Sequence, residues 1–323
     1  MPSFSDPSVE AWFARRTIYD PAPDLATLIA SKASAGVTIG VCLPALDEAA
    51  TIGRICEVIA TELGAPGLVD RLVVVDSGST DETIAIAAAA GAMVVRARDL
   101  VPAAPTVASP GKGESLWKSL AVVDTDIVVW LDSDTRNFNS HFVAGLVAPM
   151  LADPAILFSK SFYERPLHGG EGADKTGGGR VTELAIRPLV NLFYPTLAGF
   201  IQPLSGEYAG HHDALIELPF GTGYEVDLLL LIDVVERFGL DAVAQVDLGR
   251  RVHRNRPVDA LGRMSFEIMW AFFDRLESSG RLKVADELPV LLAQFTELNG
   301  RYIPEVSGHP RATRPPMITV SGP

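Results

Sequence analysis

A chain of 323 residues, 48% of them apolar, has the material for one large α/β domain, or for one domain with a C-terminal extension. Its formal charge of -13 argues against a nucleic-acid partner, which needs broad basic surfaces, while a few local cations or a metal still suffice for small anions. Two cysteines in apolar runs, Cys42 and Cys56, point to buried thiols in a reducing compartment rather than to a disulfide or a zinc site; residues 1–16 hold no apolar stretch for a signal peptide or membrane span, so the cytoplasm is the expected location.

Residues 1–36 read as an irregular or helical arm interrupted by Pro21 and Pro23. The fold proper is expected to begin with the β-branched run 37–43, which closes at Pro44 and is followed by helical spacing over 49–63. Residues 72–75 repeat the step as a fully apolar strand, ending in Asp76-Ser77-Gly78-Ser79-Thr80-Asp81 ahead of an alanine-rich helix over 82–90; residues 93–96 are a third strand. Proline, alanine and glycine over 97–113 predict a long loop, 114–123 a helix, and 127–131 a buried strand ending at Asp132-Ser133-Asp134. In the second half the pattern predicts strands at 157–163 and 242–248, a glycine-rich loop at 175–180, and helices at 181–192, 225–238 and 259–276; beyond 282 there is little pattern. Fully apolar strands alternating with helices indicate a parallel sheet covered on both faces, with ligands beyond the carboxyl ends of the strands. The polar clusters at 44–48, 76–81 and 132–134 should therefore converge on one crevice.

Asp132 and Asp134, one residue apart at a strand end, can hold Mg²⁺ or Mn²⁺ and leave positions open for a diphosphate; a solvated turn is the competing reading, which the buried strand before them disfavours. The turn at 76–81 presents hydroxyls and a carboxylate to a nucleoside, or serves only as a turn and a helix cap through Ser79 or Thr80. Pro110-Gly111-Lys112-Gly113 fails the ATPase-loop pattern because no hydroxyl residue follows the lysine, but Lys112 on a mobile loop can reach a diphosphate unless it is a plain surface lysine. Thr176-Gly177-Gly178-Gly179-Arg180-Val181-Thr182 opens a helix, either as a phosphate cradle or as a flexible loop. Arg251-Val252-His253-Arg254-Asn255-Arg256 is a solvated basic turn, or it offers an imidazole to a metal and guanidiniums to an anion. Asp227, at the start of a helix, is stabilised by the helix dipole or accepts from sugar hydroxyls.

Taken in order, Leu43-Pro44-Ala45-Leu46-Asp47-Glu48, residues 76–81, 110–114, 132–134 and 176–183, Gln202-Pro203-Leu204-Ser205-Gly206-Glu207-Tyr208 and His253-Arg254-Asn255-Arg256-Pro257 resemble the glucosyl-3-phosphoglycerate and mannosyl-3-phosphoglycerate synthases, retaining glycosyltransferases. The resemblance runs from about residue 37 to residue 260 and implies a GT-A type α/β fold with a mostly parallel, Rossmann-like sheet, a homodimer, and a nucleotide-sugar-binding region 37–160 continuous with an acceptor-binding region 161–282; the arm 1–36 and the tail 283–323 carry none of it. It implies that Pro44, Ala45, Leu46, Glu48 and Ser79 surround the nucleoside, with Lys112 on the diphosphate and Asp132, Ser133 and Arg251 on the nucleotide sugar. Asp134 and His253 would ligate Mg²⁺ or Mn²⁺. Gly179, Arg180, Thr182 and Asn255 would bind the phosphate and carboxylate of 3-phosphoglycerate, with Leu204 and Asp227 at the reacting hexose. Two positions depart from the glucosyl pattern, Asp227 in place of Glu and Asp47 in place of Asn, so UDP-glucose and GDP-mannose both stay open as donors.

The implied reaction breaks the anomeric C–O bond as the nucleoside diphosphate leaves, and the acceptor hydroxyl attacks with retention of configuration. Its product is of the compatible-solute or polysaccharide-precursor kind. A sugar nucleotidyltransferase would carry a glycine-rich basic loop after the first strand, and a nicotinamide dehydrogenase G-x-G-x-x-G; residues 44–48 are neither. A catalytically silent nucleotide-sugar-binding protein is the remaining alternative.

Overall fold

Val73, Val74 and Val75 are each fully buried, and on alternate sides of one sheet: Val73 and Val75 join Cys42, Val128 and Trp130 in one core cluster, while Val74 joins Val41, Leu43, Ile127 and Val129 in the other. Successive side chains of a strand point to opposite faces, so continuous apolar runs are what a sheet covered on both sides requires. The protein is seen here as a computed structural model that describes residues 6–19, 23–101, 111–165, 179–252, 257–298, 300–308 and 312–320.

Among the described residues the strands are β1 (Thr17–Ile18), β2 (Ile39–Ala45), β3 (Arg71–Asp76), β4 (Met93–Arg96), β5 (Ile127–Trp130), β6 (Phe158–Glu164), β7 (Tyr208–His211), β8 (Phe220–Gly221), β9 (Val243–Arg250), β10 (Leu291–Leu298), β11 (Arg301–Gly308) and β12 (Thr313–Arg314). Eight of them form one sheet in the order β1-β9-β6-β7-β5-β2-β3-β4. Only β7 in this sheet is antiparallel to its neighbours. The expected mostly parallel α/β sheet is therefore present, and β2, β3 and β5 deliver the three polar clusters to one edge. No helix among the described residues is long and apolar enough to cross a membrane. Both cysteines are free and buried, and burial pushes each thiol up to about 12.

Three expectations are corrected. The first segment is not an appendage outside the fold proper: Trp12, fully buried in the helix Pro7–Arg16, donates its indole N–H to Val243 O at 2.8 Å, and β1 extends the main sheet by pairing parallel with β9. With only Val9 and Trp12 buried on that helix, its sequence carries too little periodicity to announce the packing. The helix expected over 49–63 is present, α-helical at Ile52–Val58 and continuing as a π-helix over Ile59–Gly64. Lys112 is the first residue of a helix, Lys112–Ser119, and not part of a mobile loop. Finally, the tail beyond 282 forms the β10–β11 hairpin and then returns, with β12 pairing antiparallel to β8 and Met317 entering the core.

Candidate active site

Three strand ends are stitched together by their own polar groups. Asp47, at a φ of 54°, accepts the Thr80 N–H at 2.8 Å through Oδ1, and its own N–H donates to Ser79 Oγ at 2.9 Å. Asp tolerates this left-handed conformation better than most residues. The buried Asp76 carboxylate accepts from Gly78 N at 3.0 Å and Ser79 N at 3.1 Å, which folds the turn back on itself. Neither Ser79 nor Thr80 caps the following helix: its N-cap residue is Glu82, and Asp81 accepts from the first helical N–H, Thr83 N, at 3.0 Å. From the third strand end, the Ser133 hydroxyl donates to Pro44 O and Ser133 O accepts from Thr51 Oγ1 at 2.5 Å. Beside this seam lies a cavity of about 220 Å³, lined by residues 76–79, Ile84, Arg96 and Arg98. Pro44 and Glu48 are half-buried and Ala45 is buried, while Leu46 is exposed.

A charged network continues from there into the protein. Lys112 Nζ lies 2.7 Å from Asp132 Oδ1 and 3.0 Å from Asp227 Oδ1. Asp227 also accepts the Tyr208 hydroxyl at 3.1 Å. Arg251 Nη2 bridges Asp132 Oδ2 at 2.9 Å and Asp134 Oδ1 at 2.7 Å, and its Nε lies 2.7 Å from Glu207 Oε1. Gly206 leaves room for this: a Cβ there would stand 2.3 Å from Asp132 Oδ2 and 2.5 Å from Lys112 Nζ. Arg251 is 1% exposed, so the expectation that it offers its guanidinium to an incoming anion is corrected: three carboxylates already engage it. Asp132 and Asp134 remain open to solvent, with side chains 26% and 28% exposed.

The charge states follow from this geometry. Burial opposes the Lys112 ammonium, but Asp132 and Asp227 outweigh it and hold its pKa well above the usual range. Burial likewise opposes the Asp132 carboxylate, yet Lys112 and Arg251 keep its pKa below the ordinary value. Glu207 and Asp227 shift upward, chiefly through burial.

Set beside known proteins, residues 40–203 match the model of the glycosyl transferase family 2. The curated glucosyl-3-phosphoglycerate synthase of Petrotoga mobilis is 44% identical over 297 residues, covering 91% of this chain and 90% of its own. The chain belongs to the glucosyl- and mannosyl-3-phosphoglycerate synthase family. A crystal structure of the glucosyl member from Mycobacterium tuberculosis, in complex with Mn²⁺, UDP-glucose and phosphoglyceric acid, superposes with a TM-score of 0.80 at 44% identity, covering 94% of this chain and 98% of that one. The mannosyl-3-phosphoglycerate synthase of Rubrobacter xylanophilus gives a TM-score of 0.87 at 35% identity, covering 96% and 99%.

Of the expected site residues, the structure gathers Lys112, Asp132, Asp134, Asp227 and Arg251 in one network, with Ser133 tying it to Pro44. Hard oxygen donors at a solvent-facing strand end suit a divalent cation such as Mg²⁺ or Mn²⁺. Among the described residues no three carboxylates, imidazoles or thiols gather as a complete metal cage, and His253 and Asn255 lie outside the described residues, as do residues 102–110 and 166–178. Gly179, at a φ of 77°, and Arg180 are half-buried where a helix begins, Thr182 is buried in the π-helix Thr182–Ile186, and Leu204 packs half-buried against the core.

Sequence reasoning missed Lys160 and gave no role to Glu207 or Tyr208. Lys160 is 1% exposed in β6, its ammonium donating to Ser205 O at 2.9 Å and Asp227 O at 3.1 Å and lying 4.6 Å from the Tyr208 ring centroid. The signal was available: a lysine in the middle of the expected strand 157–163, flanked by Leu157, Phe158, Phe162 and Tyr163, has to find partners if that strand is buried. Burial pushes its pKa down from 10.5 to about 8. Below that folded value both states carry the proton; between there and 10.5 the unfolded chain binds more protons than the folded one, so this group's contribution to stability rises with pH in that window. Urea titrations at about pH 7 and about pH 10 should show wild type gaining stability relative to Lys160→Met. A difference that stays constant across the window would mean that Lys160 titrates as an ordinary lysine.

Proposed function

We propose that the chain transfers glucose from UDP-glucose to 3-phosphoglycerate, in the presence of Mg²⁺ or Mn²⁺. The observation that carries this is the relation to the Mycobacterium tuberculosis enzyme solved with Mn²⁺, UDP-glucose and phosphoglyceric acid, which covers 94% of this chain. Asp134 and His253 would hold the ion, which supplies positive charge against the diphosphate. Lys112, kept protonated by Asp132 and Asp227, offsets the charge that grows on the departing diphosphate. Pro44, Ala45, Leu46, Glu48 and Ser79 line the nucleoside side of the crevice, and Asp227, Tyr208 and Leu204 face the hexose. Arg251 acts on the donor through Asp132 and Asp134, whose carboxylates it orients. Gly179, Arg180, Thr182 and Asn255 hold the acceptor's phosphate and carboxylate, which brings two anions together in one orientation. Configuration is retained, with the leaving phosphate oxygen taking the acceptor's proton.

GDP-mannose is the second reading of the donor, favoured by the TM-score of 0.87 to the mannosyl enzyme and by Asp227 where the glucosyl pattern has Glu. A coupled assay of nucleoside-diphosphate release, with either sugar nucleotide and with or without 3-phosphoglycerate and Mg²⁺, decides between them. Release from neither donor would sink the reaction itself and return the chain to a binding role. Within the acceptor site, Arg180→Ala is expected to raise the KM for 3-phosphoglycerate about tenfold or more while the donor KM stays near its wild-type value, because a guanidinium on a phosphate contributes roughly 1.5–3 kcal/mol. An equal rise in both would take Arg180 out of the acceptor site.

A homodimer completes the proposal. One face of the β10–β11 hairpin packs toward the helix Val258–Ser278, where Gln294 Nε2 donates to Asp259 O at 3.0 Å. Leu291, Phe295, Tyr302 and Val306 share the opposite face and are all exposed. A two-stranded hairpin with an apolar outer face is stable when something covers it, and a second copy of the chain is the proposed cover. Light scattering should give the mass of two chains; the mass of one would rule this out. The two free, buried cysteines support a reducing, cytoplasmic location.

A further inference from the structure

Strand β8 is two residues long, yet Lys112 and Asp227 both hang from it. The loop that follows it accepts the first N–H groups of the helix Lys112–Ser119: Gly111 N and Glu114 N donate to Thr222 O, each at 3.0 Å, and Gly113 N to Gly223 O at 3.2 Å. The same loop then runs directly into the helix Val226–Phe238, whose second residue is Asp227. The fit is tight, since a Cβ on Gly113 would stand 1.9 Å from Gly221 O.

What holds β8 in place comes from the far end of the chain. β12 pairs with it, Thr313 opposite Gly221 and Arg314 opposite Phe220, and Thr222 N donates to Ala312 O at 3.1 Å. Arg314 then reaches the helix itself through two parallel bonds to Glu114, Nε to Oε2 at 2.7 Å and Nη2 to Oε1 at 2.8 Å. Both side chains are buried, the guanidinium lies 4.9 Å from the Trp117 ring centroid, and the Trp117 indole N–H donates to Pro315 O at 2.9 Å. A helix of eight residues has little stability of its own, and a two-residue ladder has less. A forked guanidinium–carboxylate pair fixes orientation as well as adding energy.

We propose that Arg314 is a positioning residue for the donor site: through Glu114 and β8 the C-terminal strap 312–320 sets where Lys112 stands against Asp132 and Asp227. This rests on the reading of Lys112 as the group that faces the donor diphosphate. Arg314 touches no substrate, and it acts by removing slack from the helix that carries the lysine. Misplacement of a reacting group by about 1 Å costs on the order of 100-fold in rate.

The test is steady-state kinetics of full-length wild type, Arg314→Met, Arg314→Lys, the double variant Glu114→Gln/Arg314→Met and, as reference, Lys112→Met, all well below their unfolding temperatures. Arg314→Met is expected to lower kcat/KM for UDP-glucose on the order of 10–100-fold and to leave the 3-phosphoglycerate KM within about twofold of wild type. Arg314→Lys, which keeps the charge but not the fork, should fall between them. The double variant should be no worse than Arg314→Met, because the further ion pair that Glu114 makes, with Lys118 at 3.3 Å, stays within the one helix, and by leaving no buried carboxylate exposed to the loss it stays measurable if the single variant folds poorly. Wild-type donor kinetics in Arg314→Met and Arg314→Lys overturn the proposal, as does a parallel loss in donor and acceptor parameters, which marks general loosening. Unchanged donor kinetics in Lys112→Met would instead sink the reading of Lys112, and the role of Arg314 with it.

Discussion

Asp134→Ala is expected to lower kcat by at least about 100-fold, the scale of losing one charge-stabilising element in the transition state, while unfolding at nearly the wild-type temperature. The two halves of this expectation have separate causes. The Asp134 side chain is more than a quarter exposed, and Arg251, its ion-pair partner among the described residues, keeps Asp132 and Glu207 after the substitution, so the loss of stability should stay below about 1 kcal/mol. The catalytic loss is expected from the proposal that Asp134 is an oxygen donor to the divalent ion. Mn²⁺ binding followed by electron paramagnetic resonance should weaken in parallel with turnover. Unchanged activity would remove the metal from Asp134, and an unfolded variant would show that the carboxylate belongs to the framework.

Arg251→Met should have the opposite character, a large loss of stability. Its guanidinium is 1% exposed and lies 2.7 Å from Glu207, which is equally buried, with Asp132 and Asp134 on its other side. Removing one partner of a buried ion pair leaves a charge without compensation, which costs roughly 3–5 kcal/mol. The Glu207 pKa is already raised, chiefly by burial and against the pull of Arg251, so without the arginine the carboxyl should take up a proton at still higher pH. Urea unfolding measures the effect directly. Glu207→Gln added to Arg251→Met should recover part of the loss by removing the stranded carboxylate. A loss below about 1 kcal/mol would mean that water, and not the arginine, compensates those acids.

Much of the fold was legible because its central strands are buried on both faces: the runs around residues 39–43, 72–75 and 127–131 are dominated by apolar residues and bounded by polar turns, while 93–96 is an edge strand, half-buried to exposed, that only its short Met-Val-Val run announced. The same reasoning placed Asp76, Asp132 and Asp134 at strand ends, and a parallel sheet then requires those ends to lie together. Lys112 was singled out by its flanking glycines but assigned to a loop, since a helix of eight residues that opens among prolines and glycines has no clear N-terminal signal. Lys160 and Glu207 went unassigned because single buried charges acquire meaning only from partners distant in the chain.

By itself, then, the sequence determined what depends on local order: the alternation of strands and helices, the polar residues at the strand ends, and the ordered motifs that mark the family. Only the tertiary structure decided which charges meet. That Lys112 stands between Asp132 and Asp227, that Arg251 is surrounded by acids, and that Arg314 closes on Glu114 across 200 residues are pairings between segments whose separation along the chain carries no record of contact. Burial is the physical reason they exist: inside the protein each charge is costly alone, so the fold is stable only where opposite charges arrive together.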